Sequence, residues 1–246
     1  MRKILVLLLT VATCTAYSQG KTIYSVSSVK PKIGMTTAFE NAWKTHVSKF
    51  HNGDHKILVF EILSGDKGGY YQFVKGPMSY ADMDIEKPDQ SAHDMDYQKK
   101  VASTLSDETG IFYYQYLDSL TLNPGVMADK SVVTVNSIKT GKMGDYRDEV
   151  KKGVMVSRTL NSPFNNNRYQ LIGAGSNPVM VSVYNLKDGF KQLESDYFKN
   201  VAIFRDNYIT TYGFNNWEKR TDLLDDIVEK TEIFLRKRRG DLSSKQ

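Results

Sequence analysis

The chain of 246 residues has a single cysteine, Cys14. That cysteine lies in an apolar N-terminal segment that reads as a removable leader. The mature protein is therefore expected to lack any thiol for a disulfide, a thiolate metal site or a cysteine nucleophile. Stability must come from a packed core. Long apolar runs are also scarce: past the leader, nothing approaches the roughly 18 uninterrupted apolar residues of a membrane-crossing helix. Charge of one sign is scarce too. The formal net charge of +5 falls by two, to +3, when Arg2 and Lys3 leave with the leader. So modest a value gives no global case for a nucleic-acid partner, which export would also remove.

The leader is "MRKILVLLLTVATCTAYSQG". Two positive charges, a short apolar run and then small residues have the layout of a secretory signal peptide over residues 1-18. Ala16 and Ser18 supply the small side chains at the minus-three and minus-one positions, so the mature chain begins at Gln19 and is exported, to the periplasm or beyond. A rival reading lipidates Cys14 after Val11-Ala12-Thr13, but threonine fits poorly in front of a lipidated cysteine. Release is favoured over anchoring.

Two halves of the chain read alike, and repeats decide folds before motifs do. "KTIYSVSSVKPKIGMTTAF" from Lys21 matches "KSVVTVNSIKTGKMGDY" from Lys130: an alternating strand, a glycine turn and a helix start. "KILVFEILSGDKGGYYQFV" from Lys56 matches "RYQLIGAGSNPVMVSVYN" from Arg168, each with the grammar of a β-hairpin. "TGIFYYQYLDSL" from Thr109 lies over "TEIFLRKRRGDL" from Thr231. Ahead of those strands, Met95, Val101, Ala102 and Leu105 fall opposite Trp217, Leu223, Leu224 and Ile227, a buried stripe at helical spacing. The first helix is predicted from Thr36 to Phe50, with Phe39, Trp43, Val47 and Phe50 on one face.

Each half thus reads β-α-β-β-α-β, the order of a ferredoxin-like unit with both helices on one face of a four-stranded antiparallel sheet. The predicted organisation is a first repeat over 19-122, a Pro- and Gly-bearing linker over 123-129, and a second repeat over 130-246. An extra helix is expected near 196-214, with Phe198, Ile203, Phe204 and Tyr208 inward. A linker this brief forces the halves into contact.

A strand such as "SVSSVKPKIG" leading into an aromatic-rich helix and then a hairpin resembles the dimeric α/β-barrel superfamily. That group includes antibiotic-biosynthesis-type monooxygenases, NIPSNAP-like proteins and stress-responsive barrel proteins. The resemblance covers nearly all of Lys21 to Leu242 and rests on element order, not on a diagnostic motif. It implies an α+β fold: two ferredoxin-like βαββαβ repeats whose antiparallel sheets face each other as a pseudo-dimeric α/β barrel. Because one chain holds both halves, a monomer with internal pseudo-two-fold symmetry is expected over an obligate dimer. Such a fold hosts enzymes and binding proteins alike.

Strand alternation nominates the residues that could line the barrel. Ile111 and Tyr113, with Ile233 and Leu235, are expected to face the helices. Phe112, Tyr114 and Tyr116, with Phe234, Arg236 and Arg238, are expected to face inward. Ser25, Ser27 and Asn136 on the first strands complete an interior of hydroxyls, an amide, tyrosines and arginines. That set suits a small polar or anionic ligand with an aromatic part, since arginine grips a carboxylate bidentately. On a charged strand end the arginines would instead serve only solubility.

His46, His51, His55 and His93 are the other candidates. His51 and His55 straddle Gly53, so their spacing guarantees no common helical face, and a surface or helix-capping role is expected for each. No metal site and no cofactor are expected. Some members of the resembled superfamily degrade haem with a first-strand asparagine, a tryptophan and a histidine; Asn136 has no histidine in its half, and His93 is paired with Ser27. "LIGAGSNPV" mimics a dinucleotide loop, but another strand follows it, so it reads as a hairpin turn. Asp82, Asp84 and Glu86 lack the glycine and terminal glutamate of a calcium loop and read as a charged helix start.

Two functions remain. The first is an exported barrel that binds a small ligand or a partner. The second is a cofactor-independent monooxygenase or isomerase with one base, for which His46 is the weak candidate. The basic stretch "EIFLRKRRGDLS" is predicted as the closing strand of the second repeat, with Lys237 and Arg239 on the outer face. Its Arg-Gly-Asp is therefore not expected to form an exposed adhesion loop.

Overall fold

A computed structural model describes residues 20–53, 56–85, 89–125, 128–161, 165–173 and 178–245, apart from the side chains of 195–200. The leader with Cys14, and likewise His55, Glu86, the side chain of Phe198 and the middle of the linker, lie outside the described residues. In chain order the elements are β1 (Ile23–Pro31), α1 (Thr36–Phe50), β2 (Ile57–Ile62), β3 (Tyr71–Met78), α2 (Tyr80–Met83), α3 (Gln90–Asp96), β4 (Leu105–Glu108) and β5 (Phe112–Tyr116). They continue with β6 (Lys130–Ile138), α4 (Met143–Thr159), β7 (Asn167–Leu171), β8 (Val179–Leu186), α5 (Ser195–Tyr212), α6 (Phe214–Ile227) and β9 (Val228–Arg238).

Eight of these strands form a closed antiparallel barrel. The hydrogen-bonded order runs β3-β2-β9-β6-β8-β7-β5-β1, the additional β1–β3 pairing closes the ring, and β4 extends the end of β1. Within the first half the order is β5-β1-β3-β2, and within the second it is β9-β6-β8-β7. The halves meet at two short seams. At one, Phe60 to Ile62 pair with Arg238 to Arg236; at the other, Tyr114 to Tyr116 pair with Leu171 to Tyr169. Closure removes the edges that an open sheet would expose.

Side chains alternate across the wall and divide the core into three. Val29, Val59, Tyr71 and Phe73 face outward and pack on Phe39, Trp43 and Val47 of α1. Ile138 and Met180 pack in the same way on Tyr146, Val150 and Val154 of α4 and on Ile227 of α6. Ile62, Val133, Val183 and Phe234 meet inside the barrel. Strands of this kind, rich in β-branched and aromatic residues, suit a pleated wall covered on both faces.

Ahead of β4 the helical stripe departs from its expected phase. α3 widens into a π-turn over Tyr97–Val101 and then tightens into a 3₁₀ turn over Ala102–Thr104. One inserted residue rotates everything after it relative to everything before it. Val101 is consequently buried while Met95, expected in the same stripe, is 65% exposed. In its place His93 and Asp96 turn toward α1. The extra helix is α5; Tyr208 is fully buried there, whereas Ile203 is exposed. Ile111 and Ile233 are exposed as well, rather than covered by helices.

The C-terminal stretch ends as a clasp. Beyond Arg238, the N–H of Arg239 donates to the Val59 carbonyl and that of Ser244 to the Ile57 carbonyl. The Ser243 and Ser244 hydroxyls accept from the N–H groups of Val59 and Ile57. The tail thereby satisfies the part of β2 that β9 leaves unpaired. Arg239, placed by its sequence on the outer face, is a half-buried clamp paired with Glu40, Glu61 and Asp241. Asp241 is also held by Lys44 at 3.2 Å.

Candidate functional site

The barrel encloses a cavity of about 460 Å³, within the usual range for a small-molecule site. Its wall is assembled from both halves: Tyr24 and Val26 on β1, Tyr114 and Tyr116 on β5, Tyr169 on β7, and Phe234 with Arg236 on β9. Tyr169 meets Tyr24 edge-on at 5.3 Å and Tyr116 at 5.6 Å, forming an aromatic corner. Burial raises the phenol pKa of Tyr24, Tyr114 and Tyr169. These hydroxyls stay protonated at neutral pH and can donate to a ligand.

Arg236 is the electrostatic centre of this wall. It is 9% exposed, its Nε donates to Ser131 Oγ at 2.9 Å and its Nη1 donates to Gln72 Oε1. The guanidinium lies 4.0 Å over the ring of Phe60. Burial pushes its pKa down to about 10, with Tyr169 acting in the opposite direction. The group therefore remains cationic at neutral pH. Among the described residues no carboxylate pairs with it. A buried charge without a counter-charge is costly, and an anion entering the cavity would offset that cost.

Of the residues expected to line the barrel, Tyr114, Tyr116 and Arg236 do so. Arg238 shares their alternation but sits at the end of β9 and is not part of the lining. Ser25, Ser27 and Asn136 point the other way. Along β1, Ser25 and Ser27 keep step with Val29, which is packed under α1; along β6, Asn136 keeps step with Ile138, packed under α4. Because the period is two, those anchors carry the intervening polar residues to the helix side. Asn136 there donates to the Tyr146 hydroxyl at 2.9 Å and accepts from Thr231 at 2.8 Å.

His46 is not in the barrel either. It is fully buried in the helix layer, with Nδ1 3.0 Å from Asp96 Oδ2 and Nε2 3.2 Å from His93 Nε2. Burial lowers its pKa against the opposing pull of Asp96. His51 ends α1, as a capping residue would, but only 8% of it is exposed. The surface or capping role expected of each is therefore wrong for His46, while His51 keeps the capping position at the end of α1 without being on the surface: both rings turn inward against Trp43. Sequence spacing missed this cluster because His93 arrives from α3, a separate element whose approach to α1 no local pattern encodes. The available signal was the position of His46 on the buried stripe of α1.

The described lining of the cavity has no imidazole and no thiolate; the three described histidines are tied together elsewhere. The loop "LIGAGSNPV" joins two antiparallel strands, β7 and β8, although its residues 174–177 lie outside the described set. Asp82 closes a capping box with Ser79 at the start of α2.

No known family pattern matches the chain, and no curated protein matches it by sequence. Solved structures do match. A protein assigned as a monooxygenase from Fusobacterium nucleatum superposes with a TM-score of 0.52 at 12% identity, covering 91% of this chain and 92% of the other. An anthrone oxidase-like protein gives 0.50 at 10% identity, covering 93% and 95%. A mutant chlorite dismutase from Candidatus Nitrospira defluvii gives 0.50 at 8% identity, covering 89% and 92%. The chain has the α+β barrel fold shared by monooxygenase-like and chlorite dismutase-like proteins. At these identities the likeness concerns fold alone.

Proposed function

We propose that the barrel cavity binds a small anion with a flat aromatic or apolar body. The observation that carries this reading is Arg236, a buried guanidinium without a carboxylate partner among the described residues, set in a wall of tyrosine and valine. The guanidinium supplies charge and two-pronged geometry, and the Tyr24–Tyr169–Tyr116 corner supplies a flat apolar surface with donors at its rim. The pseudo-symmetric strand orders of the two halves support a tandem duplication in which one chain makes both walls of the site. The leader's layout supports an exported protein.

The test is a thermal-shift and calorimetric comparison of aromatic carboxylates, beginning with benzoate, against their methyl esters. The acids are expected to raise the melting temperature and the esters to leave it unchanged. An equal response to acid and ester would sink the reading.

A second reading, turnover of such a molecule by a cofactor-independent oxygenase or isomerase, draws support from the monooxygenase and anthrone oxidase-like names of the structural neighbours. A guanidinium that holds a carboxylate also stabilises an enolate or phenolate. The described lining contains no histidine or carboxylate to act as base, so Arg236 would have to favour ionisation of an already acidic substrate. Oxygen uptake with an anthrone, without added metal or cofactor, decides between turnover and binding.

A further inference from the structure

We propose that His46, His51 and His93 form a binding site for a divalent late first-row metal ion of the zinc type, in the helix layer and separate from the barrel cavity. One donor nitrogen from each ring lies within 4.8 Å of the others. Nε2 of His93 stands 3.2 Å from Nε2 of His46 and 3.3 Å from Nε2 of His51. Zinc–nitrogen bonds of about 2.0–2.1 Å in a tetrahedron place neighbouring ligands about 3.3–3.4 Å apart. The two spacings from His93 are those of neighbouring ligands around one ion, and the His46 and His51 donors lie within 4.8 Å of each other.

The hydrogen bonds on the far side of two rings strengthen the case. Nδ1 of His46 faces Asp96 Oδ2 at 3.0 Å, and Nδ1 of His93 faces Asp94 Oδ1 at 2.9 Å. An ionised carboxylate only accepts, so each Nδ1 carries the proton and each neutral ring presents a lone pair at Nε2. Two lone pairs directed at each other across 3.2 Å repel. Either an extra proton or a cation must lie between them, and the third nitrogen, His51 Nε2, favours the cation. A carboxylate behind a ligating histidine is the usual outer support of a metal site, fixing tautomer and ring angle.

The surroundings suit a preformed site. Trp43 stacks on His51 at 5.7 Å and Phe50 lies 5.0 Å from His46, so the rings are walled by aromatics. His46 is wholly buried, while the His93 side chain is 26% exposed and marks the route by which an ion would enter. Three imidazoles leave one coordination position for water or a further ligand. With imidazole ligands alone, zinc, copper and nickel are the ions to expect.

The decisive experiment uses the purified protein without a histidine tag, stripped with EDTA. Zinc titration followed by calorimetry is expected to give one equivalent bound with a Kd below 1 µM, and zinc should raise the melting temperature. Cobalt should give the intense visible bands of a tetrahedral site. His93→Gln, on the partly exposed ring, is expected to fold and to weaken zinc binding at least 100-fold. Asp96→Asn should weaken it by about 10–100-fold through the His46 ring. Failure of the unaltered protein to take up zinc, or uptake that His93→Gln leaves unchanged, would overturn the proposal in favour of a protonated histidine cluster.

Discussion

The indole Nε1 of Trp43 donates to the carbonyl of Leu242 at 2.8 Å, joining α1 of the first half to the last residues of the second across 199 positions. Leu242 is itself fully buried in the α1 core. The C-terminal tail is thus a structural part of the first half, and it covers the seam where β9 leaves β2.

Deleting Gly240 to Gln246 is therefore expected to destabilise the whole barrel. Loss of the Leu242 side chain alone removes about 2 kcal/mol of apolar burial, and β2 loses the serine and backbone partners that complete it. A fall in melting temperature of roughly 10 °C should follow for a chain of this size. Trp43→Phe, which removes the donor and part of the ring surface stacked on Phe73, should cost about 1–3 kcal/mol by leaving the Leu242 carbonyl unpaired, with the lost packing in addition. Denaturant melts of both variants measure the difference. A tail deletion with unchanged stability would show that the clasp is incidental.

The clasp also predicts an acid response. The Arg239 guanidinium lowers the pKa of Glu40 and, with Lys44, that of Asp241. A carboxylate with a depressed folded-state pKa contributes stability above its unfolded value near 4, and that contribution is lost as pH falls through the folded value. Glu40→Gln/Asp241→Asn should therefore be less stable than the parent at pH 7, and the gap should narrow progressively as pH falls below about 4. Both groups are partly exposed, which keeps the effect modest and salt-sensitive. Melting curves taken every half pH unit, at low and high salt, provide the check; a gap constant with pH would contradict it.

Arg236 should separate binding from stability. Arg236→Met removes the cost of burying a charge without a counter-charge against the loss of the hydrogen bonds to Ser131 and Gln72, so it is expected to leave the melting temperature little changed. The same variant should abolish the stabilisation that benzoate gives the parent. Two melts, with and without benzoate, test both halves of this expectation. A benzoate response that survives Arg236→Met would place the anion elsewhere.

Much of the fold can be read from the sequence because it rests on periodicity. The α1 stripe of Phe39, Trp43 and Val47, the hairpins and the antiparallel alternation all follow from local pattern. Arg236, Tyr114 and Tyr116 were legible for the same reason, as members of the alternating inner faces of β9 and β5. Ser25, Ser27 and Asn136 were misplaced because alternation gives two faces without saying which is inner; Val29 and Ile138, anchored under helices, were the residues that settle it. The histidine cluster was illegible for a different reason. The approach of His93 to His46 and His51 joins two elements far apart in the chain and exists only once they meet.

The second half carries a buried polar lock of its own, which yields the last prediction. Glu149 is 2% exposed, ion-paired with Arg220 at 3.0 Å and with Lys152 at 3.2 Å, and it accepts from the Tyr208 hydroxyl at 2.8 Å. Arg220 in turn lies 5.5–5.7 Å over the rings of Phe204, Tyr208 and Trp217. One carboxylate on α4 therefore holds α5 and α6 in place. Glu149→Ala should cost about 3–5 kcal/mol, because it leaves the guanidinium uncompensated beside a low-dielectric core. Adding Arg220→Met should recover part of that loss, since the orphaned charge is then gone. Denaturant unfolding of the two single variants and the double variant closes the cycle. Strict additivity of the single effects would mean that the two residues do not act as a pair.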